Sequence, residues 1–460
     1  MHRESGVHTA RPWKRVLPAT LLLLAVGCGG AEADRPGAPE PQTVETHEPA
    51  PVAPETPAQK PSEEAPGVAL APTPEHARPW FLRLGGPQDD IGTGLAVNGA
   101  GDIALVWLST PREDEERESV PGQRRALTLA RYTSDGQARW TREFPRFRVA
   151  SPQVGASPRG EVFLTGNAFL HAVDFGLGAA SDGFLVKFSD EGQPLWQRRV
   201  GQKVYGPVAD GEGGVLVAAE EWTPEGHVPV LAHHDAQGAY RWTRQFDVVA
   251  EGTELHAVAL APSGRALLAG RLVGTLRVDG RTFGGDGGQG LVLLAFERDG
   301  RLAWGREVRG VDGYVTGLKP GPDGSVVLVG EFRGSLPWGD TTLSGPGAFV
   351  LAADPEGAER WGHPLACGTR SASPVVAVDE GGQVVAACDG VLSMYAPEGP
   401  QRDERRLSPG ECPEGGCSVT STALDFVPGQ GLTLIGYQRH GGPQAGNAWN
   451  QDAFLRLLVP

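Results

Sequence analysis

The 460-residue chain is predicted to be all-β, a ring of seven four-stranded blades. Three observations carry that expectation. A turn, usually glycine-containing, leads into an aliphatic strand seven times over, at intervals of roughly 50 to 60 residues. A second aliphatic strand follows each copy. After five of these second strands, a glycine precedes a tryptophan by four residues. The period suits a propeller blade with loops rather than a helical solenoid.

The units can be followed strand by strand. The first set of strands lies at 101–108, 160–166, 213–219, 264–270, 324–330, 382–388 and 431–436. The second set lies at 126–132, 182–188, 228–234, 290–296, 347–353, 390–395 and 452–458. Gly136 with Trp140, Gly192 with Trp196, Gly238 with Trp242, Gly300 with Trp304 and Gly357 with Trp361 mark a third strand in five units. An Asp shortly before each glycine completes the hairpin chemistry, and the aromatic opens the next strand with a large group to bury. A fourth stretch, such as 253–262 or 314–322, leads back to the next glycine turn. The last unit stops after 452–458 and lacks its Trp-led strand. Residues 79–84 fit that need, because Trp80 has no Asp-Gly hairpin before it. This N-terminal strand is expected to complete blade seven and remove the open edges of the sheet.

Residues 1–28 precede the fold. Arg11, Lys14 and Arg15 form a basic start, and the apolar run 16–26 is shorter than the ~20 residues a spanning helix needs. It ends in Leu24-Ala25-Val26-Gly27-Cys28, which resembles a bacterial lipoprotein lipobox with Ala25 as a mild departure. The resemblance implies an acylated Cys28 and, with Gly29 rather than Asp following, placement at the outer membrane. An ordinary secretory signal is the alternative. Residues 29–78 are Pro-, Ala- and Glu-rich and cannot bury enough apolar surface to fold alone. They are read as a disordered tether, roughly 150 Å long if stretched at ~3.1 Å per residue. The propeller is then residues 79–460.

A formal charge of −15 argues against nucleic acid as a partner. Cys367, Cys388, Cys412 and Cys417 are an even set in an exported chain, so disulfides are expected. The preferred pairing is 412–417 with 367–388. A zinc site is the alternative, with no CxxC spacing or nearby histidine to support it. All four lie around blade six, which lacks the Asp-Gly…Trp signature, so a crosslink would replace packing there.

The stretch 80–108, with its W…GG…D…A-V…G-D pattern, and the later Asp182-Gly-Phe-Leu-Val-Lys-Phe…Asp-Glu-Gly…Trp196 resemble the bacterial seven-bladed repeats called SBBP. The resemblance spans 79–460 in weakening copies and implies an exported propeller without implying a reaction. PQQ-type repeats share the Gly-x-x-x-Trp motif more distantly. The sialidase Asp box fails here, since 189–196 has one residue too many between Gly and Trp. Blades two, four and five carry an insert after their first aliphatic strand, at 169–177, 272–281 and 332–341.

No catalytic, cofactor or metal constellation is assigned. His233 and His234 would point to opposite faces of a strand and cannot share an ion. Asp210-Gly-Glu212 and Gly285-Asp286 suit turns better than calcium, and 113–118 reads as a solvated loop. The expected function is therefore a non-enzymatic binding or scaffold module, a monomer anchored through its N-terminal lipid. A carbohydrate- or cell-wall-active enzyme and a structural or adhesive surface protein are the alternatives. The loops 109–125, 167–181, 271–289, 331–346 and 437–451 are long and share one face, opposite the tight turns. That face carries Phe169, His171, Trp222, Phe283, Trp338 and Trp449, where a protein or polysaccharide partner is expected to bind.

Overall fold

The computed structural model describes residues 78–459, apart from 87–88, 110–124, 148, 225, 250–251, 368–372, 408–416 and 441–449. The expected signal sequence and tether, Cys28, Cys412 and Trp449 lie outside the described residues. The described chain is a seven-bladed β-propeller, and all its sheet pairings are antiparallel. β1 (Trp80–Leu84) is the first strand of the described residues. Blade one is β2 (Asp90–Val97), β3 (Ile103–Ser109), β4 (Arg125–Tyr132) and β5 (Ala138–Phe147). Blade two is β6 (Val149–Ala156), β7 (Val162–Asp174), β8 (Ala179–Phe188) and β9 (Pro194–Arg199). Blade three is β10 (Lys203–Ala209), β11 (Val215–Thr223), β12 (Gly226–His234) and β13 (Tyr240–Gln245). A short β14 (Asp247–Val248) joins the outer part of blade four, whose strands are β15 (Glu254–Leu260), β16 (Ala266–Val278), β17 (Arg281–Phe296) and β18 (Leu302–Arg309).

Blade five is β19 (Asp312–Pro320), β20 (Val326–Arg333), β23 (Gly347–Ala353) and β24 (Glu359–Leu365), with the hairpin β21 (Ser335–Trp338) and β22 (Thr341–Ser344) between its second and third strands. Blade six is β25 (Val375–Val378), β26 (Val384–Cys388), β27 (Val391–Tyr395) and β28 (Gln401–Arg406). Blade seven is β29 (Cys417–Val427), β30 (Gly431–His440) and β31 (Asn450–Leu458), completed by β1, which pairs Trp80 with Leu457 and Leu84 with Ala453. The expected closure by the N-terminal strand is what the chain forms.

Second and third strands read as continuous apolar runs because neighbouring blades cover both of their faces. Six consecutive residues of β3, Ile103–Leu108, are all buried. Their even and odd members go to different cores: Ala104 and Val106 pack with blade two, Ile103 and Leu105 with blade seven.

The tryptophans are clasps between blades, each reaching from a fourth strand to the hairpin turn of the next blade. Trp140 Nε1 donates to Asp190 O at 2.7 Å and Trp196 Nε1 to Ala236 O at 2.9 Å. Trp242 bonds Arg298 O at 2.8 Å, Trp304 bonds Pro355 O at 3.0 Å and Trp361 bonds Pro397 O at 3.0 Å. Trp80 of β1 repeats this on Ser134 O at 3.1 Å. Each turn needs glycine at the contact: a Cβ on Gly192 would stand 2.7 Å from the Trp140 ring, and one on Gly357 2.6 Å from Trp304, and both glycines have positive φ. Two residues after the tryptophan, Arg142, Arg198, Arg244 and Arg306 donate Nε to the same glycine's carbonyl at 2.6–3.0 Å.

Blade six departs from this pattern for a different reason than the sequence suggested. Its turn, 396–400, is intact and receives Trp361. It lacks its own tryptophan because blade seven has no turn to receive one: β31 and β1 come from opposite ends of the chain. The crosslink does not compensate there. Cys367 and Cys388 are joined by a disulfide, and both belong to the core between blades five and six.

Two of the long segments are hairpins. Residues 271–289 form a continuation of the β16–β17 hairpin, and 335–344 form β21–β22. Alternating Leu272, Leu276 and Val278, or Leu336, Trp338 and Leu343, give each hairpin one apolar face, and it folds onto its own blade. Positive-φ residues close the tips, Asp279 with Gly280 in one and Gly339 in the other.

Candidate functional site

The insert hairpins remove two expected anchors from the surface. Phe283 is 7% exposed and Trp338 4%. Each lies against a glycine directly after a clasp tryptophan: Phe283 on Gly305 of β18, Trp338 beside Gly362 of β24. Trp338 Nε1 also donates to Ala352 O at 3.1 Å. Their expected role on the binding face is therefore corrected to core packing. Phe169 and His171 belong to β7, but their side chains lie outside the described residues. Cys417 begins β29, likewise without a described side chain.

Among the described side chains of the expected set, Trp222 stands at the surface, 50% exposed near the end of β11. β11 and β12 run on beyond the blade and pair Trp222 with His227. The indole and imidazole stack at 5.2 Å and 12°, and the Trp222 backbone N–H donates to Gln202 Oε1 at 2.8 Å. An exposed indole stacked on one face, on an anchored backbone, is preorganised for contact.

Behind this stack lies a polar cluster that sequence reasoning missed. Glu220 is 3% exposed. Tyr205 donates its hydroxyl to Glu220 Oε1 at 3.0 Å, and Lys203 Nζ lies 3.2 Å from Oε2. His227 Nδ1 is 3.8 Å from the same oxygen. Tyr205 packs on His256 at 5.4 Å. Burial, with the Glu220 charge adding to it, pushes the Tyr205 hydroxyl well above its usual range, so it remains a donor. Burial lowers the His256 pKa, and that ring is neutral at pH 7. These groups sit at the starts of first strands and the ends of second strands. The topology puts both ends on one side of the blades, where Arg271 also stacks on Tyr314 at 4.9 Å. The signal was present in Glu220-Glu221-Trp222 and in Lys203-Val204-Tyr205. It could not be weighed without knowing that β10 and β11 pair Lys203 with Glu220.

The histidine pair separates as the strand geometry requires. His233 Nε2 is 2.8 Å from Asp210 Oδ2, while His234 packs on Tyr240 at 4.5 Å. Asp210 also accepts N–H groups from Glu212 at 2.8 Å and Gly214 at 2.6 Å, and Arg241 lies 3.4 Å away. Burial alone would raise its pKa; the His233 bond, the two backbone donors and Arg241 together hold it at about 2. Its oxygens are committed to closing a turn. Among the described residues, no group of three or more His, Cys, Asp or Glu side chains is placed to hold a metal ion.

No family model matches the chain, and no curated protein does. Solved structures resemble it in fold. A protein of unknown function from Dyadobacter fermentans is 15% identical, covering 72% of this chain and 98% of its own, with a TM-score of 0.39. The β-propeller domain of the Trilobed protease from Pyrococcus furiosus is 8% identical, covering 81% and 96%, with a TM-score of 0.44. The Fusarium graminearum α-L-arabinofuranosidase Arb93A is 12% identical, covering 83% and 97%, with a TM-score of 0.40. These likenesses concern fold and bring no activity to this chain.

Proposed function

We propose that the protein is a non-enzymatic binding or scaffold propeller of SBBP type, held at the bacterial outer membrane by a lipid on Cys28. It captures a protein or polysaccharide partner on the side of its blades that carries Trp222. The supporting observation is the Trp222–His227–Glu220 arrangement. An exposed indole is fixed in place, while the carboxylate beneath it is engaged by Lys203 and Tyr205. That carboxylate orients the platform through these contacts. Aromatic anchors held rigidly are favoured as binding hot spots.

The test is crosslinking in the native envelope followed by identification of what is captured. Trp222→Ala is expected to lower capture about tenfold or more, a loss of ~1.4 kcal/mol or greater, with an unchanged melting temperature. Cys28→Ser in the same cells should release the protein from the membrane fraction. Capture unaffected by Trp222→Ala would refute the assignment. The buried Glu220 carboxylate, bonded to Tyr205, is what a carbohydrate-active alternative would use. Sugar release from cell-wall polymer that Glu220→Gln abolishes would decide for it.

A further inference from the structure

Between blades six and seven, where the tryptophan clasp is missing, a cleft of about 430 Å³ opens. Its floor is apolar, formed by Leu392 and Met394 of β27, Phe426 of β29 and Leu432 of β30. Its rim carries Arg402, Arg405, Arg406 and Arg456 against Asp403. Four guanidinium groups and one carboxylate are conspicuous on a chain with 41 basic and 56 acidic side chains.

The strand register shows what the cleft lacks. Each clasp tryptophan faces the penultimate residue of the third strand, as Trp140 faces Arg131 and Trp361 faces Ala352. In blade six that position, opposite Met394, is Asp403. Two residues on, Arg142 faces Leu129 in blade one, and Arg405 faces Leu392 in blade six. Arg142 gives its Nε to the carbonyl of Gly192 in the next blade. Arg405 stands at the equivalent position, but no turn joins β31 to β1, so that carbonyl has no counterpart. Arg405 Nε instead holds Asp403 at 2.6 Å. The seam thus lacks the large apolar body that fills the indole's place in the others, and Arg405, held by Asp403, lacks the backbone carbonyl that Arg142, Arg198, Arg244 and Arg306 reach.

We propose that this cleft binds an amphipathic carboxylate, an apolar chain or ring system bearing one anionic head. The apolar part lies on Leu392, Met394, Phe426 and Leu432. The carboxylate accepts hydrogen bonds from Arg405, for which guanidinium geometry is suited, and Arg402 and Arg406 add positive charge at the rim. The volume lies within the roughly 300–1,000 Å³ of small-molecule sites. The site is separate from the Trp222 surface and does not depend on the function proposed for that surface.

Dansyl-labelled undecanoic acid, titrated into the full-length chain, supplies the test. Its emission should rise on binding and fall again when laurate is added. Dodecanol, which lacks the charge, should displace it about tenfold less well or worse, as should acetate, which lacks the chain. The double variant Arg402→Gln/Arg405→Gln should weaken laurate binding about tenfold. Asp403→Trp, which fills the cleft as the other blades fill theirs, should abolish probe binding without lowering the melting temperature. Met394→Trp serves as a second filling variant if the first folds poorly. No probe binding, equal displacement by dodecanol and laurate, or undiminished binding in both filled variants would overturn the proposal.

Discussion

His234 shows how one side chain can set the acid limit of the fold. It is 1% exposed, packed against Tyr240, with Arg198 near enough to add repulsion. Burial, then that charge, lowers its pKa from 6.5 to about 4. The folded ring is neutral across this interval, whereas the unfolded chain takes up a proton near 6.5. The unfolded state therefore binds more protons, and stability rises with pH through the window. His234 contributes its full share above pH 6.5 and loses it progressively as pH falls toward 4, by up to about 3 kcal/mol. Thermal melts at several pH values check this: His234→Phe should flatten the profile between 6.5 and 4. A wild-type slope that survives the substitution would assign the effect elsewhere. Asp210 acts lower: its contribution is present above pH 3.8 and lost as pH falls toward 2.

At the scale of elements, the residue after the clasp tryptophan decides whether an insert hairpin can dock. Blades four and five have glycine there, Gly305 and Gly362, and seat Phe283 and Trp338. Blade two has Gln197, whose Nε2 donates to Gly178 O at 3.2 Å in its own insert. Blades one and three have Thr141 and Thr243 there. Gly305→Val should therefore expel Phe283 and melt the hairpin tip selectively. The expected cost is about 3 kcal/mol, comparable to losing a buried phenylalanine. Hydrogen exchange should rise over 275–284 while blade one keeps its protection. Uniformly unchanged exchange would mean that the hairpin does not depend on that seat.

Across the whole molecule, one five-residue strand closes the ring. β1 supplies the fourth strand of blade seven and also the Trp80 clasp onto blade one. Deleting 79–84 leaves β31 with an open edge and removes the indole from Gly136. That truncation should lower the melting temperature far more than deletion of 29–75. Equal melting temperatures for the two would contradict closure as a stabilising contact. The disulfide between Cys367 and Cys388 works elsewhere, beside the blade five and six core.

The seven-bladed architecture was legible in the chain itself, because a repeat places the same turn and the same aliphatic run at the same local position each time. Asp-Gly turns, apolar strands and Trp80 without a hairpin before it are all local signals, and local backbone chemistry determines them. What lies between blades was not legible. The indole of Trp140 meets Gly192 and that of Trp196 meets Gly238 across 52 and 42 positions, and only closure of the ring makes them neighbours. The same holds for Glu220 under Trp222 and for burial of Phe283 and Trp338, which depend on strand register and on glycine seats in another strand. The cleft beside Asp403 follows from topology alone: a ring closed by a strand from the far end of the chain has one blade without a third hairpin turn, and the packing that such a turn receives elsewhere is absent there.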